Sequence, residues 1–363
     1  MKFTLASPEH EPEIRLLHAG HSMHGNFCVT EQREPDFFHC LAIQGKAEAL
    51  AMLDDSGRVV GMGTRSSSAV WLGGVPGRLG YLGALRMAPS YGRGLNLARA
   101  FRFLRRRHEE DPGCRFYLTT IFAQNHVAKR LLTSGRAGLP RYLEAGELRC
   151  HALSPVRAGR ISPCDDLVMD TATIQTLPEM LVFLSSEGAK TNFFPILEMS
   201  DFGSARLRDL HPEDCVVARS RGDGKIVGAM AIWDQSRFRQ FPVRLSGAGA
   251  MLWPLARWLL GLDVPRSGQA LPLRHACFIC IRDHDPTIFA NLLRSAILGL
   301  PRGTILTAGF HVRHPLYGTL ARLSVPFVNI RSHVYLACWE DAVHECRQIL
   351  NGGGHFHIDP STL

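Results

Sequence analysis

The sequence predicts an α/β protein with a mixed sheet, built from two domains of one fold that follow each other along the chain. With 363 residues, the chain is too long for one typical domain and suits two. An apolar strand, a glycine loop and a helix follow one another over residues 79–104, and the order of elements after residue 166 repeats that of the first part. We therefore divide the chain into a first domain (1–154), a linker (155–166) and a second domain (167–363).

Local signals predict the elements of the first domain. Ser7 caps the first helix and Gly20 closes it, and the turn Asp54-Asp-Ser-Gly57 joins the strands of a hairpin. The central strand is short and apolar, apolar residues recur at helical spacing from Leu95, and Asp111-Pro-Gly113 ends that helix. In order, the elements are strand 2–5, helix 8–20, helix 34–43, hairpin strands 49–53 and 59–71, a turn at 74–77, central strand 79–87, the helix from Leu95, strand 114–122, a helix after Asn125 and a last pair of strands over 138–151.

The second domain repeats this outline after a linker rich in proline and arginine. Gly224-Lys-Ile-Val-Gly228 echoes Gly57-Arg-Val-Val-Gly61, each after a turn and before a strand. The final third is predicted to form helix 286–300, strand 304–308, helix 315–323 and strands over 327–338. Its strand-to-helix turn has no glycine and carries Asp283 and Asp285, which would repel a phosphate at the helix start. We therefore expect the second domain to have the fold without binding the ligand of the first.

The segment Tyr91-Gly92-Arg93-Gly94-Leu95-Asn96 joins the central strand to the long helix. The first amides of a helix have no internal partner and lie at the positive end of its dipole, and glycines let a ligand oxygen approach the backbone. The segment is neither a dinucleotide fingerprint, because the third glycine is missing, nor a P-loop, because no Gly-Lys-Ser/Thr follows. It predicts a site for a phosphate-bearing ligand of another kind.

This segment resembles the acetyl-coenzyme A signature of the GCN5-related N-acetyltransferases (GNAT), Arg/Gln-x-x-Gly-x-Gly/Ala. It matches at Gly94 and departs at Tyr91 and Asn96. A second match, Asn125-x-x-Ala128-x-x-Leu131, resembles the family's Asn-x-x-Ala-x-x-Leu-Tyr, with Leu132 in place of the tyrosine. The order of elements over residues 1–153 is also similar to that of the family.

The resemblance implies an N-acetyltransferase that moves an acetyl group from acetyl-CoA to the amine of a small molecule or peptide. The family places its base on the central strand, which here has no carboxylate between residues 79 and 87. The catalytic residues therefore stay unassigned, with Tyr81, Tyr142 and Glu144 as candidates beside Glu147 and His151. By resemblance, the coenzyme contacts Leu85, Arg86, Met87, Tyr91, Gly92, Arg93, Gly94, Leu95, Asn96 and Asn125.

Two other functions stay open. The departures from the family pattern suggest a non-catalytic CoA-binding protein. The formal charge of +8 favours anionic ligands, which include a coenzyme but also tRNA, the donor of aminoacyl-tRNA-dependent transferases with tandem folds of this class. The glycine loop favours CoA over tRNA, so nucleic acid is not expected as a partner. The oligomeric state is not predicted.

Composition predicts a cytoplasmic protein without a membrane span or a metal. The most apolar run, residues 247–262, is short and interrupted by Pro254 and Arg257. Ten cysteines without framework spacing indicate reduced thiols, and Cys277 and Cys280 are expected on opposite faces of a strand. His18, His21 and His24 share a spacing of three and could line one helix face, but no carboxylate or second cluster accompanies them, so no metal site is predicted.

Overall fold

The computed structural model describes residues 1–20, 22–24, 28–91, 95–136, 138–244 and 268–363, and these form a large mixed sheet covered by helices. The strands are β1 (Lys2–Leu5), β2 (Ser22–His24), β3 (Cys28–Thr30), β4 (Lys46–Leu53), β5 (Val59–Leu72), β6 (Val75–Met87), β7 (Phe116–Phe122), β8 (Arg141–Leu153), β9 (Leu167–Thr171), β10 (Cys215–Ser220), β11 (Ile226–Trp233), β12 (Val243–Arg244), β13 (Leu273–Ile281), β14 (Ile305–His311) and β15 (Ser324–Cys338). The helices are α1 (Glu11–Ala19), α2 (Phe37–Leu41), α3 (Asn96–Glu109), α4 (His126–Leu132), α5 (Pro155–Gly159), α6 (Leu177–Gly188), α7 (Pro286–Gly299), α8 (Tyr317–Leu323) and α9 (Val343–Asn351).

The first half of the chain (1–154) and the second half (167–363) exchange their last strands. The main sheet has the order β1, β4, β5, β6, β7, β15, β8, β14, β13, β11, β10, β9. Strand β15 of the second half therefore lies between β7 and β8, and β8 of the first half lies between β15 and β14. All three of these contacts are antiparallel. Each half completes the sheet of the other.

This exchange overturns the two predicted strand pairs. Residues 138–151 were expected to form two strands, but residues 141–151 lie in the single strand β8, and residues 327–338 lie in the single strand β15. Each of these strands is flanked on both sides by strands of the other half, so neither pairs with itself. The prediction treated each half as closed on itself, and it was wrong for that reason.

The central strand of each half carries a β-bulge. In the pairing of β5 with β6, Met62 lies opposite Arg86 and Thr64 lies opposite Gly83. The two residues of β6 between these pairs, Ala84 and Leu85, therefore oppose the single residue Gly63, and Ala84 adopts a φ of 49°. In β13, the corresponding residue is Phe278, with a φ of 51°. This extra residue resets the alternation of side chains along the strand.

Because of the second bulge, Cys277 and Cys280 belong to one hydrophobic cluster instead of pointing to opposite faces, so that prediction is wrong. The histidine pattern also breaks up, since α1 ends at Ala19 and His24 lies in β2, while His21 lies outside the described residues. Helix α2 begins at Phe37, later than predicted. These differences are all caused by local irregularities that hydrophobic periodicity does not report.

Each half also opens a cleft beside its central strand. Strands β6 and β7 are parallel, and they pair only at Gly80 with Tyr117 and Tyr81 with Leu118. Beyond Tyr81 they separate toward their carboxyl ends, which we call the first cleft. Strands β13 and β14 pair over Leu273–His275 and separate beyond, which we call the second cleft. In parallel sheets, ligands bind at the carboxyl ends of separating strands.

A buried ion-pair network fixes α3 to the sheet. Arg65 of β5 is 1% exposed and donates to the Asp111 carboxylate (2.9 Å) and to the Tyr117 hydroxyl (2.8 Å). Arg107 of α3 donates to Glu48 of β4 (2.6 Å). Since one end of α3 is held here, the other end, at Asn96, is directed to the mouth of the first cleft.

No helix in the described ranges is long and apolar enough to cross a bilayer. The apolar run 247–262 lies outside the described residues. The predicted linker contains the short helix α5, whose Ala158 is buried.

Candidate functional site

Side chains replace backbone pairing where the first cleft opens. The Thr119 hydroxyl of β7 donates to the Leu82 carbonyl of β6 (2.8 Å). The Tyr81 hydroxyl lies 3.1 Å from the Thr120 hydroxyl. Past these bridges, the backbone of residues 85–87 continues along the cleft without a strand partner on the β7 side. Among the described residues, this is a place where a ligand can take up strand hydrogen bonds.

The predicted coenzyme residues that the structure describes lie at the end of β6 and around the starts of α3 and α4. Leu85, Arg86 and Met87 end β6, and Asn96 starts α3. The Asn96 side chain donates to the Tyr91 carbonyl (3.2 Å), and this bond links the first residue of α3 to Tyr91. Gly92, Arg93 and Gly94 lie outside the described residues.

Asn125 follows β7 at the same edge and caps α4. Its side-chain oxygen accepts the Ala128 N–H at 3.0 Å. Leu132, which takes the place of the family's tyrosine, is buried in the core beneath α4. That position therefore offers no hydroxyl to a ligand.

The rim of the first cleft combines exposed apolar and cationic side chains. Leu95 and Val127 are each 70% exposed, an unusual state for such residues at the starts of two helices. Arg99 lies one turn into α3, and it has no ion-pair partner within the described part of the chain; Arg102 and Arg106, farther along the helix, have none there either. An apolar rim next to unpaired cations suits a ligand with a hydrocarbon part and several phosphates.

The two faces of the sheet differ at the cleft. Leu82 packs with Phe101 and Leu104 on the face that α3 covers. Tyr81 packs with the cluster of Leu79 and Leu118 on the opposite face. Burial raises the pKa of Tyr81, so this hydroxyl stays protonated at neutral pH. Tyr81 also lines a cavity of about 80 Å³, whose walls include residues 357–359 and 362–363.

A cluster of charged residues lies near Tyr81 on this face. The carboxylate of Glu31 accepts from Arg33 (3.2 Å) and from Arg239 of the second half (3.0 Å). Burial alone would raise the pKa of Glu31, but the two guanidinium groups hold it far below its ordinary value. Burial lowers the pKa of His18 to about 3, so this imidazole is neutral. We call Glu31, Arg33, Arg86 and Arg239 the arginine cluster.

Arg86 belongs to both the cleft and the arginine cluster. Its guanidinium donates to the Leu85 carbonyl (3.0 Å). Burial lowers its pKa, Glu31 partly offsets this effect, and the charge of Arg33 lowers it further. Arg239 also donates to the carbonyl of Ser361 (3.0 Å) and to Leu363 O (2.9 Å), so the second half and the C-terminal residues build part of this wall.

The other catalytic candidates do not converge with Tyr81. Tyr142 and Glu144 lie on β8, which β15 separates from β7. Tyr142 packs on the α3 face of the sheet, opposite to Tyr81, and burial raises its pKa. Glu147 is held ionised by Arg149, which lowers its pKa, and His151 is buried and has its pKa lowered by that burial.

Residues of the chain itself occupy the second cleft. The buried Asp359 carboxylate accepts the bulge amide of Phe278 (2.8 Å) and the Ser361 hydroxyl (2.7 Å). Asp285 caps α7 by accepting the amides of Thr287 (2.6 Å) and Ile288 (3.2 Å). The amides that start the helix are therefore satisfied. The other predicted carboxylate, Asp283, is exposed and pairs with Lys190 (3.2 Å).

We expect Asp359→Asn to lower the free energy of unfolding at pH 7 by about 1–3 kcal/mol, since charge-assisted buried bonds are lost. Burial raises the pKa of Asp359, but His357, Ser361 and the Phe278 amide lower it below its ordinary value. A carboxyl with a lowered native pKa contributes stability above about pH 4, and this contribution is lost as the pH falls. The difference between wild type and variant in urea unfolding should therefore shrink from pH 7 to pH 3. Asp55→Asn, at a 94% exposed carboxylate, is the control, and an equal loss in both variants would contradict this role.

Sequence reasoning missed Glu31, Arg33, Arg239 and Asp359. The Arg239–Glu31 contact joins residues 208 positions apart, and the Phe278–Asp359 contact joins residues 81 apart. No local pattern marks either pair. An acidic residue close to an arginine, as in Glu31-Gln-Arg33, was the one available hint.

Solved structures share this fold at low sequence identity. No family model and no curated protein matches the sequence. A probable N-acyltransferase of unknown function from Enterococcus faecalis is 11% identical, with a TM-score of 0.53 over 93% of this chain and 73% of that one. A GCN5-related N-acetyltransferase from Anabaena variabilis is 11% identical, with a TM-score of 0.52 over 92% and 72%. The N-myristoyltransferase of Saccharomyces cerevisiae, solved with myristoyl-CoA, is 10% identical, with a TM-score of 0.56 over 92% and 82%.

These similarities confirm the predicted GNAT fold and the mixed α/β class. The matched regions cover 92–93% of this chain.

Proposed function

We propose that this protein is a cytoplasmic acyl-CoA-dependent N-acyltransferase, and that acetyl-CoA is its donor. The observation that carries the proposal is the first cleft, which opens between parallel strands next to the start of α3. Its strand backbone suits the amides of a pantetheine arm, and its cationic rim suits phosphates. One structural neighbour was solved with an acyl-CoA, myristoyl-CoA, which supports a CoA thioester as the ligand class.

Residues 85–87 would hold the pantetheine and residues 91–96 the pyrophosphate, with Asn125 beside them. In the transfer, the neutral amine nitrogen attacks the thioester carbonyl. A C–N bond forms, the C–S bond breaks, the amine gives up a proton to solvent and the leaving sulfur gains one. We propose Tyr81 as the donor of that proton, because its hydroxyl lies where β6 and β7 separate and a tyrosine hydroxyl is protonated at neutral pH. Tyr142 and Glu144, on the far side of β15, are weaker candidates for this step.

The division into domains 1–154 and 167–363, joined by 155–166, stays our proposal. We assign donor binding to the first domain and part of the acceptor wall to the second. The Asp359 carboxylate in the second cleft and the Asp285 cap on α7 support a second domain that binds no coenzyme.

A non-catalytic CoA-binding protein is the second candidate. It is favoured by Leu132, which is buried where the family has a tyrosine, and by the absence of a carboxylate from residues 79–87 of β6.

The test is release of free thiol from acetyl-CoA across a panel of amines, with the acylated product identified by mass spectrometry. We expect turnover with at least one amine. Tyr81→Phe should lower kcat roughly a hundredfold while the KM for acetyl-CoA stays unchanged. Tyr317→Phe, on α8 of the second half, is the matched control. Acetyl-CoA binding without turnover of any amine would favour the non-catalytic candidate and contradict ours.

A further inference from the structure

The wall of the first cleft near Tyr81 carries more positive charge than its carboxylate neutralises. Arg33 is 4% exposed and Arg239 is 8% exposed, and both donate to the single carboxylate of Glu31. Arg86 adds a third guanidinium. Taking charges out of water is unfavourable unless an opposite charge accompanies them. In the described part of the chain, Glu31 is the one carboxylate that pairs with Arg33 and Arg239, and Arg86 forms no ion pair there.

Other carboxylates in the neighbourhood are already engaged. Glu11 and Glu34 both pair with Arg15 on the surface of α1. Asp36 caps α2 through the amides of Phe38 and His39. Asp359 accepts the Phe278 amide in the second cleft. None of these groups neutralises Arg33 or Arg86.

Two buried donors of the cluster have no hydrogen-bond partner among the residues that the structure describes. They are Nη1 of Arg33 and Nε of Arg86. Nδ1 of His18 is also buried and unpartnered. Arg33 lies over the Phe37 ring at 4.8 Å, and the His18 ring contacts the same ring at 5.5 Å, so Phe37 holds Arg33 and His18 on one wall. Guanidinium groups bind carboxylates and phosphates in a planar, forked geometry.

Arg86 lies between Leu85 and Met87, the strand residues that we assign to the donor's pantetheine. An anion bound by Arg86 would therefore lie beside the stretch that we assign to the pantetheine arm. Arg239 cannot serve in the same way, because its guanidinium already donates to Glu31, Ser361 and Leu363. Arg33 and Arg86 both interact electrostatically with Tyr81, so an anionic group bound by their free donors would bring the acceptor's amine toward this hydroxyl.

We propose that the acceptor is a small amine that also carries an anionic group, a carboxylate or a phosphonate, and that Arg33 and Arg86 bind this group. The proposal rests on the proposed function. Transfer to such an amine forms a C–N bond and breaks the thioester C–S bond. The products are the free thiol and an N-acylated compound that keeps its carboxylate or phosphonate. Binding by Arg33 and Arg86 makes the anionic group, not the rest of the acceptor, the feature that is recognised.

Thermal unfolding with candidate acceptors tests the binding site without requiring turnover. The probes are the common amino acids, their amides and aminomethylphosphonate, each added to the full chain. We expect at least one amino acid or the aminophosphonate to raise Tm while the matching amides do not. A preference between carboxylate and phosphonate identifies which anion the site takes.

Variants localise the effect. Arg33→Gln and Arg86→Gln should each weaken the apparent affinity about tenfold or more, and Arg33→Lys should restore part of it. Arg294→Gln is the control, because Arg294 also has a buried, unpartnered Nε but lies on α7. If Arg33→Gln fails to fold, Arg86→Gln decides.

Equal stabilisation by acids and amides, or no stabilisation by any anionic amine, would overturn the proposal. So would an unchanged affinity in both arginine variants. Acetyl-CoA binding, measured by calorimetry on the same proteins, reports the proposed function separately. If anionic amines bind but acetyl-CoA does not, the acyltransferase proposal is contradicted and the anion site stands. If acetyl-CoA binds but anionic amines do not, the anion site is contradicted and the acyltransferase proposal stands.

Discussion

Replacing Arg65 by leucine should lower the free energy of unfolding by about 3–5 kcal/mol, the usual result of removing one partner from a buried ion pair. Arg65 is 1% exposed and Asp111 is 8% exposed. Without Arg65, the nearest cations to Asp111 are Arg78 at 3.5 Å and Lys46 at 3.9 Å, both of which are more exposed to water. The Tyr117 hydroxyl also loses the bond donated by Arg65, although its contact with Nδ1 of His108 (3.0 Å) remains.

Urea unfolding of the full chain measures this effect. Arg65→Lys should lose less, because it keeps the charge but not the forked geometry. Arg105→Leu is the surface control. Its pair with Glu109 spans 3.0 Å between two half-exposed side chains, so a change of less than about 1 kcal/mol is expected. If Arg65→Leu lost no more than Arg105→Leu, the network would not be what holds α3 to the sheet.

Replacing Gly94 by glutamate should weaken acetyl-CoA binding at least about a hundredfold, which corresponds to roughly 2.8 kcal/mol. Gly94 lies two residues before Asn96, where α3 begins, in the loop that we assign to the pyrophosphate. A carboxylate there would repel the phosphates and would compete for the amides that start the helix. Two like charges about 4 Å apart near a protein surface repel by about 4 kcal/mol, so a hundredfold loss is well within reach.

Elements with strong local signals were predicted well from the sequence. The hairpin around Asp54–Gly57, the central strand, the helix after Leu95 and the cap at Asn125 are all present, because a turn, an apolar run or a capping residue marks each of them. The repeat of the element order in the second half was also visible, and it carries the tandem arrangement of the fold.

Features that depend on distant residues were not predictable in this way. Strand β8 pairs with β15, which lies nearly two hundred residues later, and nothing within residues 138–153 reports that partner. The bulges at Ala84 and Phe278 reverse side-chain directions without an unusual residue to mark them. The arginine cluster forms only when Arg239 of the second half meets Glu31 of the first.

The candidate site also combines a part that local sequence patterns can predict with a part that depends on contacts between distant residues. The proposed donor side is encoded in one continuous stretch, residues 79–96, so a local pattern could predict it. The proposed acceptor side draws on residues 31–33, 86 and 239 and on the C-terminal segment, which only the fold brings together.

Calorimetric titration of acetyl-CoA into the full chain tests the central claim most directly. The matched pair is Gly94→Glu and Gly159→Glu, since a side chain added at Gly159 meets nothing within 4 Å. We predict micromolar binding that is lost in Gly94→Glu and kept in Gly159→Glu. One equivalent should bind per chain, because Asp359 and Ser361 occupy the second cleft. No binding to the wild type, or binding that Gly94→Glu leaves unchanged, would contradict an acyl-CoA site at the first cleft.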